Sequence, residues 1–276
     1  MVEHLAIDET SLSCGELYTF VTNRDAHGGK GALVAAIRGT KAEAVIGVLE
    51  KMPFARRKTV REITLDLSSS MMLIARRSFP KATVINDRFH VHKLYYDAID
   101  ELRISLRWMA RDIENEEIAT CRRVGRVYVP FRYASGDTRK QLLARAKYIL
   151  TKHASKWTKS QQWRADIIFE FYPELKRAYD LAMELTDIFN QRVDKDVARL
   201  NLARWYEKVD SMDGGQFRTV TETFRNHYDT ILNYFNNRST NAGAESFNAK
   251  VKAVRSQFRG VTDIPFFLFR LSKLCA

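Results

Sequence analysis

Two aspartates each follow a short apolar run near the start of the chain. Asp8 ends the run His4–Ile7, and Asp66 ends the run Ile63–Leu65. Because side chains alternate across a strand, each aspartate points away from the apolar residue before it. A carboxylate in such a position is costly to bury unless it faces solvent, caps a neighbouring element or binds a cation. For each aspartate taken alone, the sequence leaves all three roles open.

A third carboxylate, Glu245, lies in a segment with helical periodicity. The predicted buried stripe of this segment consists of Phe247, Val251, Val254 and Phe258. A second row, on another face of the helix, consists of Glu245, Asn248, Lys252 and Arg255. A row of this kind is, by itself, typical of a solvated helix face.

Cleavage of a phosphodiester gives these three acids a common purpose. In-line attack by water or by a DNA hydroxyl requires charge neutralisation at both the attacking and the leaving oxygen. Two divalent ions roughly 4 Å apart supply it. Mg²⁺ and Mn²⁺ prefer carboxylates to clusters of Cys and His. Asp8, Asp66 and Glu245 would therefore hold two Mg²⁺ (or Mn²⁺) ions as catalytic metal ligands.

The segments that would position these acids have an α/β pattern. Strands are predicted at residues 4–8, 16–22, 32–37, 60–66 and 82–86, and helices at 41–51 and 71–78. Three neighbouring strands followed by helix, strand, helix and strand make a three-layer mixed sheet. That order matches a ribonuclease H-like domain, which is the predicted fold class.

The middle of the chain changes to helical periodicity. Helices are predicted from about 91, and at 139–151, 161–171, 174–192, 197–209 and 216–235, with a single strand signal at 126–131. Two further helices, at 241–259 and from 264, return to the first domain. We therefore predict a catalytic domain of residues 1–91 and 239–276 and a large all-α insertion of residues 92–238.

The net charge of +12, from 45 Lys and Arg against 33 Asp and Glu, favours a polyanionic partner. An ordinary basic protein is the alternative. A basic group on the late helix would hold DNA phosphates beside Glu245, unless it is only a solvated flank. The group consists of Lys250, Lys252, Arg255 and Arg259.

Three isolated cysteines predict no disulfide, which favours a reducing cytoplasm. The start of the chain does not resemble a signal peptide, and no apolar run approaches the roughly 20 residues of a membrane span. We therefore expect a cytoplasmic protein with no membrane contact.

Several segments together resemble the ISL3 family of bacterial insertion-sequence transposases. These segments are Ala6–Glu9, Ile63–Asp66, Asn86–Val91, Asn233–Phe235, Arg238–Asn241 and Glu245–Lys252. The resemblance implies a ribonuclease H-like fold, a helical insertion and the triad Asp8, Asp66 and Glu245. It also implies Mg²⁺-dependent cleavage and transfer of DNA at element ends, by a homo-oligomer on DNA. The location that it implies is the bacterial cytoplasm, in association with the nucleoid. Members of this family usually carry an N-terminal DNA-binding region, which would be a separate region or protein here.

Asp87 and His90 form an Asp-x-x-His pattern after the fifth predicted strand. In similar transposases this pattern lies near the active site, so Asp87 competes with Asp66 for the role of second acid. We favour Asp66, because it follows the fourth strand and precedes a helix, as the second acid does in this fold. Asp87, His90 and Asn248 are then expected to support the metal ligands from outside.

Two other functions fit the same residues. One is a stand-alone ribonuclease H-like nuclease, and the other is a non-catalytic DNA-binding protein derived from a transposase. The long insertion argues against the first and the intact triad against the second. Within the insertion, Trp205 would either pack in the core or stack on an unpaired DNA base. Its spacing from Leu202 and Val209 favours core packing.

Overall fold

The computed structural model describes residues 2–13, 16–257 and 263–275. The chain forms two compact units, one of Met1–Val91 with His227–Ala276 and one of His92–Asn226. The domain boundaries predicted from the sequence, at 91/92 and 238/239, stay a prediction. None of the helices in the described residues is both long and apolar enough to cross a membrane.

The first unit contains a five-stranded mixed sheet. Its strands are β1 (His4–Ser13), β2 (Glu16–Asn23), β3 (Leu33–Arg38), β4 (Glu62–Leu65) and β5 (Thr83–Asn86). Their order in the sheet is β3-β2-β1-β4-β5. The β1, β2 and β3 neighbours pair antiparallel, whereas β4 pairs parallel with both β1 and β5. This is the ribonuclease H-like α/β class that the sequence predicts.

Helices cover both faces of this sheet. They are α1 (Ala42–Leu49), α2 (Phe54–Arg57), α3 (Ser69–Ser78), α10 (Tyr234–Asn237), α11 (Ala242–Gln257) and α12 (Ile264–Cys275). One core layer joins Ile7 and Ile63 of the sheet to residues of α1 and α3. The other joins Phe20 to Phe247 of α11 and Phe267 of α12. The alternation of β1 and β4 thus leaves their polar side chains on the face toward α11.

The second unit is helical. Its helices are α4 (Arg88–Arg123), α5 (Arg139–Leu150), α6 (Lys159–Phe171), α7 (Pro173–Asn190), α8 (Lys195–Asp210) and α9 (Gly215–Leu232), with α4 and α9 continuing into the first unit. The strand signal at 126–131 was wrong, because that segment forms no strand. The β-propensity of a segment depends on a neighbouring strand, and residues 92–226 contain none.

Trp205 belongs to the core of the second unit. Its side chain is fully buried, its Nε1–H donates to the carbonyl oxygen of Leu181 at 2.8 Å, and its ring centroid lies 4.8 Å from that of Phe224. A ring enclosed in this way cannot stack on a DNA base. The core-packing prediction is confirmed, and the stacking alternative was wrong.

Candidate catalytic site at the carboxyl edge of the sheet

The register of the parallel strands brings three aspartates to one edge of the sheet. In the β1–β4 pair, Ala6 lies opposite Thr64. Two residues further along each strand, Asp8 and Asp66 therefore lie side by side. Asp87 follows β5 at the same level, because β4 and β5 are also parallel and in register. The carboxyl edge of the central strands thus concentrates negative charge on neighbouring chains.

Asp8 carries the largest electrostatic cost in this edge. Burial and the charge of Asp66 raise the pKa of Asp8 from 3.8 to about 6. Two donors oppose this shift: the backbone N–H of Glu9 donates to Oδ1 at 2.7 Å, and the Nδ2 of Asn248 donates to Oδ2. Burial and the charge of Asp66 also raise the pKa of Glu9. The carboxylates here lack enough positive charge from the protein itself.

His90 is the polar partner of Asp66. Its Nε2 lies 2.8 Å from Oδ1 of Asp66, whose side chain is 23% exposed. Burial lowers the pKa of His90, but Asp66, and the charges of Asp87 and Asp8, outweigh burial and raise it. His90 therefore orients the carboxylate of Asp66 and, when protonated, neutralises part of its charge.

Asp87 has a different environment from its two neighbours. It is only 3% exposed and accepts backbone N–H groups from Asn241, at 3.3 Å, and from Phe89. Burial and the charge of Glu245 raise the pKa of Asp87, and these bonds oppose the shift. Asp87 thus caps the first turn of α4 and fastens the start of α11 to the sheet. Its oxygens are occupied by protein donors.

Polar contacts fix the chain just before α11 against the sheet. Oγ1 of the fully buried Thr64 donates to Oδ1 of Asn241 at 2.7 Å. Gly28, with φ +76°, brings its turn against α11, and a Cβ added there would lie 2.9 Å from Oγ of Ser246. A side chain at residue 28 would therefore push the helix away. These contacts set the position of α11 over the polar face of the sheet.

Only part of the polar row predicted on α11 reaches the three aspartates at the edge of the sheet. Asn248 reaches Asp8, and its Oδ1 is buried without a hydrogen-bond partner. Glu245, one turn earlier, is exposed and acts electrostatically on Asp87. Among the described residues, no three His, Cys, Asp or Glu side chains form a group that could hold a metal. The structure thus brings Asp8, Asp66, His90 and Asn248 together and leaves Glu245 at the margin.

The donors that do converge fit a hard divalent cation. The carboxylates and the unpartnered amide oxygen of Asn248 supply oxygen ligands, which Mg²⁺ and Mn²⁺ prefer. A cation at this edge would also offset the charge repulsion that raises the pKa of Asp8.

The predicted basic group has mixed surroundings. Nζ of Lys250 donates to the carbonyl oxygen of Gly28 at 3.4 Å, and the guanidinium of Arg255 lies 5.3 Å from the ring centroid of Phe267. Lys252 is exposed. Arg259 and the stripe residue Phe258 lie outside the described residues. Lys252 is thus the member best placed to meet a phosphate.

Sequence reasoning missed an ion-pair network at the other end of β4. Glu62 is 8% exposed and pairs with Nη2 of Arg24 at 3.3 Å. It also accepts hydrogen bonds from Oγ of Ser239, at 2.7 Å, and from Nδ2 of Asn237. A charged residue at the start of an apolar run was the only available signal. Glu62 holds the segment that leads into α11.

Comparison with known proteins gives one match. The family model DDE_Tnp_ISL3, described as a transposase, matches residues 5–271. Neither the curated proteins nor the solved structures contain a match to the chain.

Proposed function

The chain belongs to the ISL3 family of transposases, and from this premise we propose that it cleaves and transfers DNA strands at insertion-sequence ends. The proposed metal ligands are Asp8, Asp66 and Glu245, with Mg²⁺ or Mn²⁺ as the two ions. The observation that carries the proposal is the pair Asp8 and Asp66, side by side on adjacent parallel strands with the pKa of Asp8 raised to about 6. Two such carboxylates destabilise the fold unless a cation joins them.

Bound divalent cations would supply activation of the attacking oxygen and neutralisation of the leaving oxygen. The residues of the chain prepare for this in distinct ways. The N–H of Glu9 and the amide of Asn248 hold the two oxygens of Asp8, and His90 holds Asp66. Outer contacts of this kind fix the direction in which a ligand presents its lone pairs.

Asp66, rather than Asp87, is our proposed second acid. The oxygens of Asp87 are taken by backbone donors at two helix ends, whereas Asp66 has His90 as its ion-pair partner and remains 23% exposed. Metal binding by Asp87 would compete with both of these helix contacts. Glu245 completes the proposed triad from the row of α11 that already delivers Asn248 to Asp8.

Membership of the family implies DNA as the substrate, and we propose that this chain holds DNA largely through its phosphates. Lys252 and the other members of the predicted basic group, Lys250, Arg255 and Arg259, would contact the DNA backbone beside Glu245. Contacts of this type carry little sequence information. The chain alone is therefore expected to bind DNA weakly and with an affinity that falls steeply with salt. A separate DNA-binding region and a homo-oligomer on DNA would supply recognition of the element ends.

A nicking and joining assay tests the proposal. Purified protein is incubated with DNA carrying the element ends and with a target plasmid, in Mg²⁺, in Mn²⁺ and in EDTA. We expect nicks and joined products with either metal and none in EDTA, and a loss of both with Glu245→Gln. The exposed Glu43 in α1 provides a matched control, because Glu43→Gln removes an acid remote from the sheet edge.

Two outcomes would overturn the proposal. Nicking in EDTA, or full activity of Glu245→Gln, would contradict the metal triad. Nicking without any joined product would indicate a stand-alone nuclease.

A further inference from the structure

The second unit contains a basic cleft that the proposed function does not use. The cleft has a volume of about 780 Å³ and lies between α4, the segment around Pro130 and the start of α5. Its charged lining is formed by Arg103, Arg107, Arg111, Arg132, Lys140 and Glu114. A volume of this size is within the roughly 300–1,000 Å³ of ligand sites. Five bases against one acid select an anionic ligand.

The cleft also exposes a large aromatic side chain. Trp108 on α4 is 53% exposed, and the guanidinium of Arg111 lies 4.0 Å from its ring centroid. Nη2 of Arg111 is held in turn by Asp112 at 2.9 Å. The guanidinium thus covers part of the indole, and Trp108, which lines the cleft, keeps about half of its surface exposed. An open indole next to a guanidinium provides a stacking surface for a planar ring.

The cleft keeps positive charge after its internal pairs are counted. Arg103 is paired with Asp100 at 2.8 Å, and Lys140 with Glu114. Arg132 donates to the neutral carbonyl oxygen of Gly136, so its charge is not cancelled.

Arg107 lies one residue from Trp108 in α4. In the described part of the chain it has no ion pair. Two guanidinium groups, those of Arg107 and Arg132, are therefore available to an anion beside the open ring of Trp108.

We propose that this cleft binds unpaired nucleotides of a DNA strand, with a base stacked on Trp108 and phosphates held by Arg107 and Arg132. The proposal rests on the proposed function only for DNA as the substrate. An unpaired strand is favoured because a base inside a duplex has both faces covered by its neighbours. Stacking of successive bases on aromatic side chains in a basic groove is the general mode of single-strand binding.

Binding of a fluorescein-labelled oligothymidine strand, measured by anisotropy, tests the proposal. The full chain carries Asp8→Asn, and EDTA is present, so that no catalytic step contributes. We expect Trp108→Ala to raise the Kd about tenfold and Trp108→Phe to retain most of the affinity. Arg107→Gln and Arg132→Gln should each reduce the slope of log Kd against log salt concentration by the amount that one lost phosphate contact accounts for.

Trp163 provides the matched control. It is 50% exposed on α6 of the same unit and does not line the cleft, so Trp163→Ala should leave the Kd unchanged. Thermal melting of both alanine variants should match that of the parent, since neither ring is buried.

Three results would overturn the proposal. The first is equal affinity of Trp108→Ala and the parent. The second is a loss of affinity of Trp108→Ala for a fully paired duplex that equals its loss for the single strand. The third is a change of oligomeric state in Trp108→Ala, which would make the surface a contact between copies of the chain. Because binding is measured without divalent cations, a failed nicking assay would count against the proposed function and not against this cleft.

Discussion

The two ends of strand β4 carry carboxylates with opposite surroundings. At its start, Glu62 is 8% exposed and bound to Arg24, Ser239 and Asn237, and these partners outweigh burial and lower its pKa. Just past its end, Asp66 faces Asp8 and helps to raise the pKa of that residue to about 6. A satisfied carboxylate stabilises the fold. A carboxylate whose pKa is raised, as that of Asp8 is, lowers stability when it is ionised and indicates a function that supplies positive charge.

The largest expected effect is on catalysis and compares Asp66 with Asp87. Asp66→Asn should reduce nicking by more than the roughly 10–100-fold that the loss of an outer contact costs, because a proposed ligand is lost. Asp87→Asn should instead lower the melting temperature, since Asp87 caps α4 and binds the start of α11. Single-turnover nicking rates and thermal melting of both variants measure this. Normal nicking by Asp66→Asn together with inactive Asp87→Asn would reverse the assignment.

The second prediction concerns Trp205, a buried residue of the second unit whose N–H has a hydrogen-bond partner. Trp205→Ala should lower the free energy of unfolding by about 3–5 kcal/mol, because the ring is fully buried and its N–H donates to Leu181. Denaturant unfolding gives the value. The exposed Trp163 is the control, and Trp163→Ala should stay within about 0.5 kcal/mol of the parent. An unchanged midpoint for Trp205→Ala would contradict its place in the core.

Local patterns predicted what depends on neighbours in the sequence. Alternation in β1 and β4 placed Asp8 and Asp66 on the face away from Ile7 and Leu65, and both apolar side chains are buried in the opposite layer. The helical stripe that includes Trp205 was predicted in the same way. Periodicity fixes the face of a residue, because that face follows from backbone geometry alone.

Partners distant in sequence were not predictable. Ser239 binds Glu62 from 177 residues away, and no local pattern connects them. The strand signal at 126–131 failed for a related reason, since a strand needs a neighbouring strand to pair with. Trp108 was overlooked because exposure of one ring on a long helix depends on which helices pack beside it. The features that the sequence did not predict are therefore those that depend on tertiary contacts.

The third prediction tests the satisfied end of β4. Glu62→Gln should cost about 1–3 kcal/mol, because it leaves Arg24 without its partner in a half-enclosed position. Glu16→Gln is the control: Glu16 pairs with the exposed Arg38 at 2.6 Å, and exposed pairs contribute about 0–1 kcal/mol. Unfolding of both variants at neutral pH provides the comparison.

The difference in stability between the parent and Glu62→Gln should depend on pH with a defined sign. The pKa of Glu62 is lowered from its ordinary 4.5, so its stabilisation is present above pH 4.5 and is lost as the pH falls through the lower value. The difference between parent and Glu62→Gln should therefore shrink in acid. A difference that grows as the pH falls would contradict the ion pair.

The smallest expected effect is a gain of stability from removing an unsatisfied charge. The pKa of Asp8 is raised from 3.8 to about 6, so its share of stability is present below about pH 4 and is lost as the pH rises through 6. Without metal at pH 8, Asp8→Asn should therefore be more stable than the parent by about 1–3 kcal/mol, and the advantage should vanish near pH 4. Mg²⁺ should raise the melting temperature of the parent at pH 8 but not that of Asp8→Asn. A destabilised variant at pH 8, or equal Mg²⁺ shifts in both proteins, would mean that Asp8 is satisfied by the protein as Glu62 is.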